Sequence, residues 1–327
     1  MKPDELAEAL VQRGFILSDA EPRPPGPPDR PWYVSLVLGA SGWLASLSGF
    51  VFVMLLFEPD STGDFVVGGL LLLGSGYGLY VADREGAFFE QLALALSLAG
   101  QLLLIWAVGE STESAAAAAG FAALMCSALV FALPNHFART LSALFACIAW
   151  ALAVRLTWWG EDALWDQRVA VPLAPALVAW ALIWLPVAFG VHHLIGREAR
   201  WMATKANRIA RPAITGLLVA LSIGTWTSEP FAALSFWVPT EVATSWLSLW
   251  PLLGVAAALF AALSAYRLQS RALIGVAIAG ALLHVVHFYY LLGVRLVVKS
   301  YIMLAVGVLL VLAARHMAGR LEHEATR

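Results

Sequence analysis

The chain contains repeated runs of predominantly apolar residues, separated by short polar or turn-forming segments such as EPDSTGD, GESTES and PNH. A run of about 20 residues, folded as an α-helix, crosses the hydrocarbon core of a bilayer. We therefore predict an all-α fold, a polytopic transmembrane helical bundle of about ten spans. The predicted spans are residues 33–57, 65–82, 87–108, 115–133, 140–159, 169–194, 212–227, 241–265, 272–292 and 300–314.

Composition excludes a water-soluble globule. Apolar residues make up 61% of the 327 residues and charged residues only 13%, whereas soluble domains carry about 25% charged residues. The surplus apolar surface must face lipid, so the lipid bilayer is the partner that composition predicts. The net charge is only -2 and the basic residues are scattered, so no nucleic-acid partner is expected.

The ends of the chain differ from the apolar part between them. Leu6, Leu10 and Val11 have helical spacing, whereas the segment EPRPPGPPDRP is too rich in proline to form a helix. The predicted domains are a short cytoplasmic amphipathic helix at 1–20, a proline-rich linker at 21–31, the transmembrane bundle at 32–314 and a cytoplasmic tail at 315–327.

Lysine and arginine orient the spans, because both are enriched in cytoplasmic loops. With a cytoplasmic N-terminus, the segments on that side hold 16 of the 20 basic residues. Those segments are 1–32, 83–86, 134–139, 195–211, 266–271 and 315–327. Both termini are therefore predicted to be cytoplasmic.

Two histidines, His284 and His287, lie three residues apart in the ninth predicted span. At a rise of 1.5 Å per residue they lie roughly 18 and 22 Å along it, in the outer half of the membrane. Gln101, Arg155 and Thr225 lie at similar depths, about 20 to 22 Å along their own spans. Because ionisable groups at such depths usually face the bundle interior, these five residues are a candidate ligand-binding site in an outer-facing polar cavity. Alternatively, Arg155 snorkels to the headgroups and the histidines bond backbone carbonyls.

A permanently charged Arg155 in this cavity favours an anionic ligand or an acidic partner segment. No metal, haem or other cofactor is predicted, because the remaining histidines fall near or beyond the cytoplasmic ends of the spans. Cys126 and Cys147 lie inside apolar runs and form no CxxC motif. The common enzyme motifs do not occur, so no catalytic residue is assigned.

Glycine and proline punctuate several spans. The glycine run GGLLLLGSGYG, from Gly68 to Gly78, includes Gly74 and Gly78 at the small-xxx-small spacing that lets two helices approach closely. Pro186 and Pro251 fall inside the sixth and eighth predicted spans, where each removes a backbone hydrogen bond. The sequence predicts helix packing at the glycines and helix bends at the prolines.

The segment RPWYVSLVLGASGWLASLSGFVFVMLLF, from Arg30 to Phe57, follows a predicted helix and a proline linker. It resembles a family of bacterial membrane proteins known as a domain of unknown function. Members are often encoded beside another multispan protein and a protein with a GDYxxLxY signature. The resemblance implies a location in the bacterial inner membrane and membrane-protein partners, and it assigns no catalytic residue.

Two functions are compatible with these features. The first is a non-catalytic subunit or scaffold of a membrane assembly, favoured by the lack of enzyme motifs and by the neighbouring genes of the resembling family. The alternative is a small-molecule permease with an outer-facing polar cavity, favoured by the ten predicted spans and the polar residues in their outer halves. A redox or metal enzyme is the third and weakest hypothesis.

Overall fold

A computed structural model describes residues 32–57, 61–82, 87–160, 172–202, 204–230, 246–292, 295–305, 307, 308, 311 and 315. In these ranges the regular elements are helices. The predicted amphipathic helix, the proline linker and all of the predicted tail beyond Arg315 lie outside the described residues.

The helices are numbered in chain order, with two short 3₁₀ turns, Gly224–Ser228 and Trp246–Leu249, named by their residues. They are α1 Trp32–Phe57, α2 Thr62–Val81, α3 Ala87–Thr112, α4 Ala115–Ala132, α5 His136–Trp159, α6 Leu173–Ile195, α7 Glu198–Met202, α8 Asn207–Ile223, α9 Pro251–Arg267, α10 Arg271–Leu291 and α11 Leu296–Ala305.

Eight stretches of the described helices are long and apolar enough to cross a bilayer, which confirms the predicted all-α transmembrane bundle. They are Val37–Leu55, Thr62–Val81, Phe88–Thr112, Ala115–Ala132, His136–Trp159, Leu173–Ile195, Asn207–Ser228 and Arg271–Leu291. The predicted eighth and tenth spans correspond to the shorter apolar helices α9 and α11.

Proline explains why α9 is shorter than predicted. Pro251 is the first residue of this helix, after the 3₁₀ turn Trp246–Leu249. The N–H groups of the first helical turn have no acceptor within the helix, so proline loses no hydrogen bond at that position. The fixed φ of proline also suits the first turn. The prediction that Pro251 lies inside a helix is therefore wrong, whereas Pro186 does lie inside α6.

Polar breaks between the spans supply the helix caps. Asn135, in the PNH break, accepts hydrogen bonds from the backbone N–H groups of Phe137 and Ala138 at 2.8 and 3.0 Å. Ser61 precedes α2 and forms a capping box with Asp64. These caps satisfy N–H groups that have no partner within the helix, so α2 and α5 each begin directly after a polar residue.

Glycines bring α2 and α3 together, but the pair that the sequence singled out is not involved. A Cβ atom at Gly76 would lie 2.7 Å from the carbonyl oxygen of Ala93, and Gly100 approaches α2 equally closely from α3. Gly74 and Gly78 have no neighbouring atom within 4 Å of such a Cβ. The packing predicted for the glycine run is therefore confirmed at Gly69 and Gly76, whereas the spacing of Gly74 and Gly78 places them on a different face of α2 from Gly76.

Helix α8 lies at the centre of the second half of the bundle, in contact with α5, α6, α9 and α10. Gly216 permits the approach to α5, because a side chain there would collide with the backbone oxygen of Thr140. Gly280 on α10 approaches the backbone oxygen of Ser222 in the same way. The C-terminal end of α8 is thus surrounded by other helices.

Candidate functional site: a buried polar layer

Helix α8 does not continue as an α-helix through the bundle. After Ile223 it tightens into the 3₁₀ turn Gly224–Ser228. Two side chains of this turn bond its own backbone: the Thr227 hydroxyl donates to the Gly224 carbonyl at 2.7 Å, and the Ser228 hydroxyl donates to the Thr225 carbonyl at 2.8 Å. Hydroxyl groups that bond nearby carbonyls compete with regular helix bonding, which explains the change of geometry here.

His284 on α10 binds this turn. Its Nε2 atom and the Thr225 hydroxyl oxygen share a hydrogen bond of 2.9 Å, and the His284 side chain is almost fully buried. Gly254 on α9 leaves the space that the imidazole fills, since a Cβ atom there would lie 2.5 Å from Cε1 of His284. The Trp226 ring packs edge-on against the imidazole at 5.5 Å. The position of this histidine therefore depends on three elements.

His287 lies one turn further along α10 and binds the residue that follows the 3₁₀ turn. Its Nε2 atom lies 3.2 Å from Oε2 of Glu229, and the two side chains are 10% and 4% exposed. The Trp226 ring also packs against His287, with 5.7 Å between the ring centroids. This pair is a buried hydrogen bond to a carboxylate, the stronger kind of hydrogen bond.

Arg155, near the C-terminal end of α5, supplies a positive charge to the same region. Its side chain is 1% exposed, and its Nη1 atom donates to the Thr227 carbonyl at 3.5 Å. Burial raises the pKa of the Glu229 carboxyl, and the bond to His287 and the positive charge of Arg155 oppose that rise. An ionised Glu229 and the Arg155 guanidinium attract each other, while the direct bond of Glu229 goes to His287.

Helix α6 completes the surroundings of the turn. The indole N–H of Trp184 donates to the Ser228 hydroxyl at 2.7 Å, and both side chains are 1% exposed. Polar bonds from α5, α6 and α10 therefore converge on one turn. We call this group the polar layer; it comprises Arg155, Trp184, Thr225, Thr227, Ser228, Glu229, His284 and His287.

The structure brings four of the five candidate residues into this layer: Arg155, Thr225, His284 and His287. Gln101 lies elsewhere: its amide nitrogen donates to Ser97 on α3 at 3.2 Å, and its oxygen accepts from the Cys126 thiol on α4 at 3.7 Å. Ligand binding by any of the five stays a prediction.

Sequence reasoning missed Glu229, which lies just beyond the seventh predicted span, 212–227. The structure buries this residue to 3% exposure and pairs it with His287. One signal was present: Glu229 directly follows the polar sequence TWTS at the end of a span, at the depth of the candidate histidines. An acid there can remain inside the bundle if its neighbours carry compensating charge.

The layer contains several ionisable side chains. The expected preference for an anionic occupant stays a prediction. Among the residues that the structure describes, no group of three His, Cys, Asp or Glu side chains is arranged to hold a metal ion.

Apolar spans that enclose a buried polar layer define a multi-pass α-helical membrane protein. The chain belongs to the family described as "Domain of unknown function (DUF4401)", whose model matches residues 31–318. This match confirms the suspected membership in a family of unknown function. No curated protein and no solved structure matches the chain.

Proposed function

We propose that the chain is a small-molecule permease of the bacterial inner membrane, with both termini cytoplasmic and with the polar layer facing the outer side. The observation that carries this proposal is the end of α8, where the helix tightens into the 3₁₀ turn Gly224–Ser228 inside the bundle. Buried charged and polar side chains from neighbouring helices bind this turn.

Helix ends inside a membrane bundle have a physical use in transporters. Where a helix ends there, its last backbone carbonyls are available to side chains, ions or substrates. Ionisable side chains are costly within a bilayer, and those that occur there commonly mark the route of an ion or substrate. For a permease, a conformation in which Arg155, Glu229 and His284 are as little exposed as they are here would be a closed one.

A permease must open this layer to the outside during its cycle, which cysteine labelling can detect. In a background with Cys126→Ala and Cys147→Ala, we expect Thr225→Cys and His287→Cys to react slowly with a membrane-impermeant maleimide added outside sealed cells. The rate should reflect transient opening, since the Thr225 side chain is enclosed in the closed layer. A transported small polar solute should change that rate.

Two reference cysteines set the scale for this experiment. Ser111→Cys, at the exposed end of α3, should react rapidly, and native Cys126, buried between α3 and α4, should not react when retained alone. If both layer cysteines are as unreactive as Cys126 in folded protein, the layer does not open and the permease proposal fails.

A specific observation also favours the other function, a non-catalytic subunit of a membrane assembly. Only 11% of the span Val37–Leu55 in α1 is buried inside the bundle, compared with 56% of the span in α3. Helix α1 packs mainly on α3, where Trp43 donates to Gln91 at 3.0 Å. An apolar groove of about 590 Å³ runs between the two helices, and Leu47 and Trp106 contribute to its lining.

Photocrosslinking tests this second function. A photoreactive amino acid in place of Phe52, which is 63% exposed on α1, should form one protein adduct of constant mass in native membranes, because the partner would cover this face. The same substitution at Leu124, 75% exposed on α4, is the control and should give lipid adducts only. The subunit hypothesis is contradicted if the two positions behave alike.

A further inference from the structure

The opposite end of the bundle from the polar layer carries a dense set of basic side chains. It is formed where α5 and α8 begin and where α6 is followed by the short helix α7. We call these side chains the basic end. They are the exposed Arg197, Arg200, Lys205, Arg208 and Arg211, and the partly exposed Arg139.

Within the described part of the chain, these six cations have no carboxylate partner. Among the described residues, the ion pair within 4.0 Å is His287–Glu229, and it lies at the other end of the bundle. Glu198 lies on α7 among the basic residues, but it forms no ion pair with any described residue. Charge complementarity at the basic end therefore requires negative charge from outside the described residues.

The fold holds these charges in place. Arg139 donates from Nε to the Leu133 carbonyl and from Nη1 to the Arg208 carbonyl at 2.5 Å, which ties the start of α5 to the start of α8. The Nη1 bond places the cationic side chain of Arg139 beside Arg208. Two like charges kept together without a carboxylate form a site that an anion would stabilise.

Helix α7 is fixed in a similar way. The Trp201 side chain is buried to 7% exposure, and its indole N–H donates to the Leu194 carbonyl, the last turn of α6, at 2.7 Å. This bond holds the segment with Arg197 and Arg200 next to the end of a membrane span. The basic side chains consequently lie at the level where lipid headgroups begin.

We propose that the basic end binds the phosphate of an anionic phospholipid headgroup, with Arg208 and Arg211 as the principal contacts and Arg139 beside them. Arginine suits this ligand because its planar guanidinium can donate two hydrogen bonds to one phosphate. Basic groups beside spans are attracted to anionic lipid over about one Debye length. The proposal rests on charge and geometry at this end and is independent of any transport by the polar layer.

The test compares the full chain in nanodiscs of neutral phosphatidylcholine with the same discs containing one anionic lipid, phosphatidylglycerol. We expect the anionic lipid to raise the midpoint of thermal unfolding of the unmodified protein by several degrees, and high salt to remove the gain. R208Q/R211Q should lose most of this gain while it unfolds at the unmodified midpoint in neutral discs.

Three controls make the result specific. R208K/R211K keeps both charges and should retain most of the gain, and R295Q, which removes an exposed charge from the other end, should retain all of it. Inorganic phosphate added to neutral discs tests whether free phosphate is the ligand instead of a lipid headgroup. Equal stabilisation by phosphate alone would overturn the lipid proposal. An undiminished gain in R208Q/R211Q would overturn it as well.

Discussion

Replacing Glu229 with glutamine is expected to lower the free energy of unfolding by about 3 kcal/mol. The substitution keeps the shape of the side chain and removes its charge. It weakens the 3.2 Å bond to His287 and removes a carboxyl group that attracts the buried Arg155 when it is ionised. Removing one member of a buried charge pair is costly because the remaining charge stays buried without its partner. Reversible unfolding in mixed micelles measures the difference.

Glu110→Gln is the matched control, because Glu110 is an exposed acid near the C-terminal end of α3. Its replacement should change stability by less than about 0.5 kcal/mol. The double variant with Glu229→Gln and His287→Gln should lose less than the sum of the two single losses, since the residues are in contact. Additive losses, or an unaltered stability of Glu229→Gln, would show that the pair contributes nothing to the fold.

The second large effect is expected at Gly254. A methyl group there would collide with the imidazole of His284, which is almost fully buried and hydrogen-bonded to Thr225. Gly254→Ala should therefore destabilise the protein by about 1–3 kcal/mol, the usual range for overpacking. The gain in helix propensity from glycine to alanine, about 1 kcal/mol, opposes this loss but does not cancel it. Thermal unfolding in detergent provides the comparison.

Gly275→Ala on α10 is the control, because a Cβ atom there has no neighbour within 4 Å. It should leave stability unchanged or raise it slightly. Combining Gly254→Ala with His284→Ala removes the collision, so the glycine substitution should be tolerated in that background. Equal destabilisation by Gly254→Ala with and without His284 would contradict the proposed collision.

The depth of a polar residue in the membrane could be predicted from the sequence, because the rise per residue of a helix is fixed. Counting along the spans placed Arg155, Thr225 and His284 at one level, and the structure joins these residues around one turn. The same count placed Gln101 at that level, where its amide bonds Ser97 and Cys126. Depth does not determine how a helix is rotated about its own axis. That rotation decides which way each side chain points, and it is set by packing between helices.

Glu229 and Gly76 show two further limits of sequence reasoning. Glu229 is preceded by a turn that leaves regular α-geometry, so the end of the apolar run did not mark the end of the buried chain. Gly76 contacts α3, whereas Gly74 and Gly78 do not. The spacing of these glycines does not determine which face of α2 packs on α3. Both depend on neighbours distant in sequence, and a pattern within one span contains no information about them.

The 3₁₀ turn also sets a mechanical relation between α8 and Glu229. A 3₁₀ helix advances about 2.0 Å and 120° per residue, whereas an α-helix advances about 1.5 Å and 100°. Rewinding the five residues Gly224–Ser228 as α-helix would retract Glu229 by roughly 2.5 Å and swing it through roughly 100°. Such a rotation would separate its carboxylate from His287. The His287–Glu229 bond therefore opposes rewinding of this end of α8.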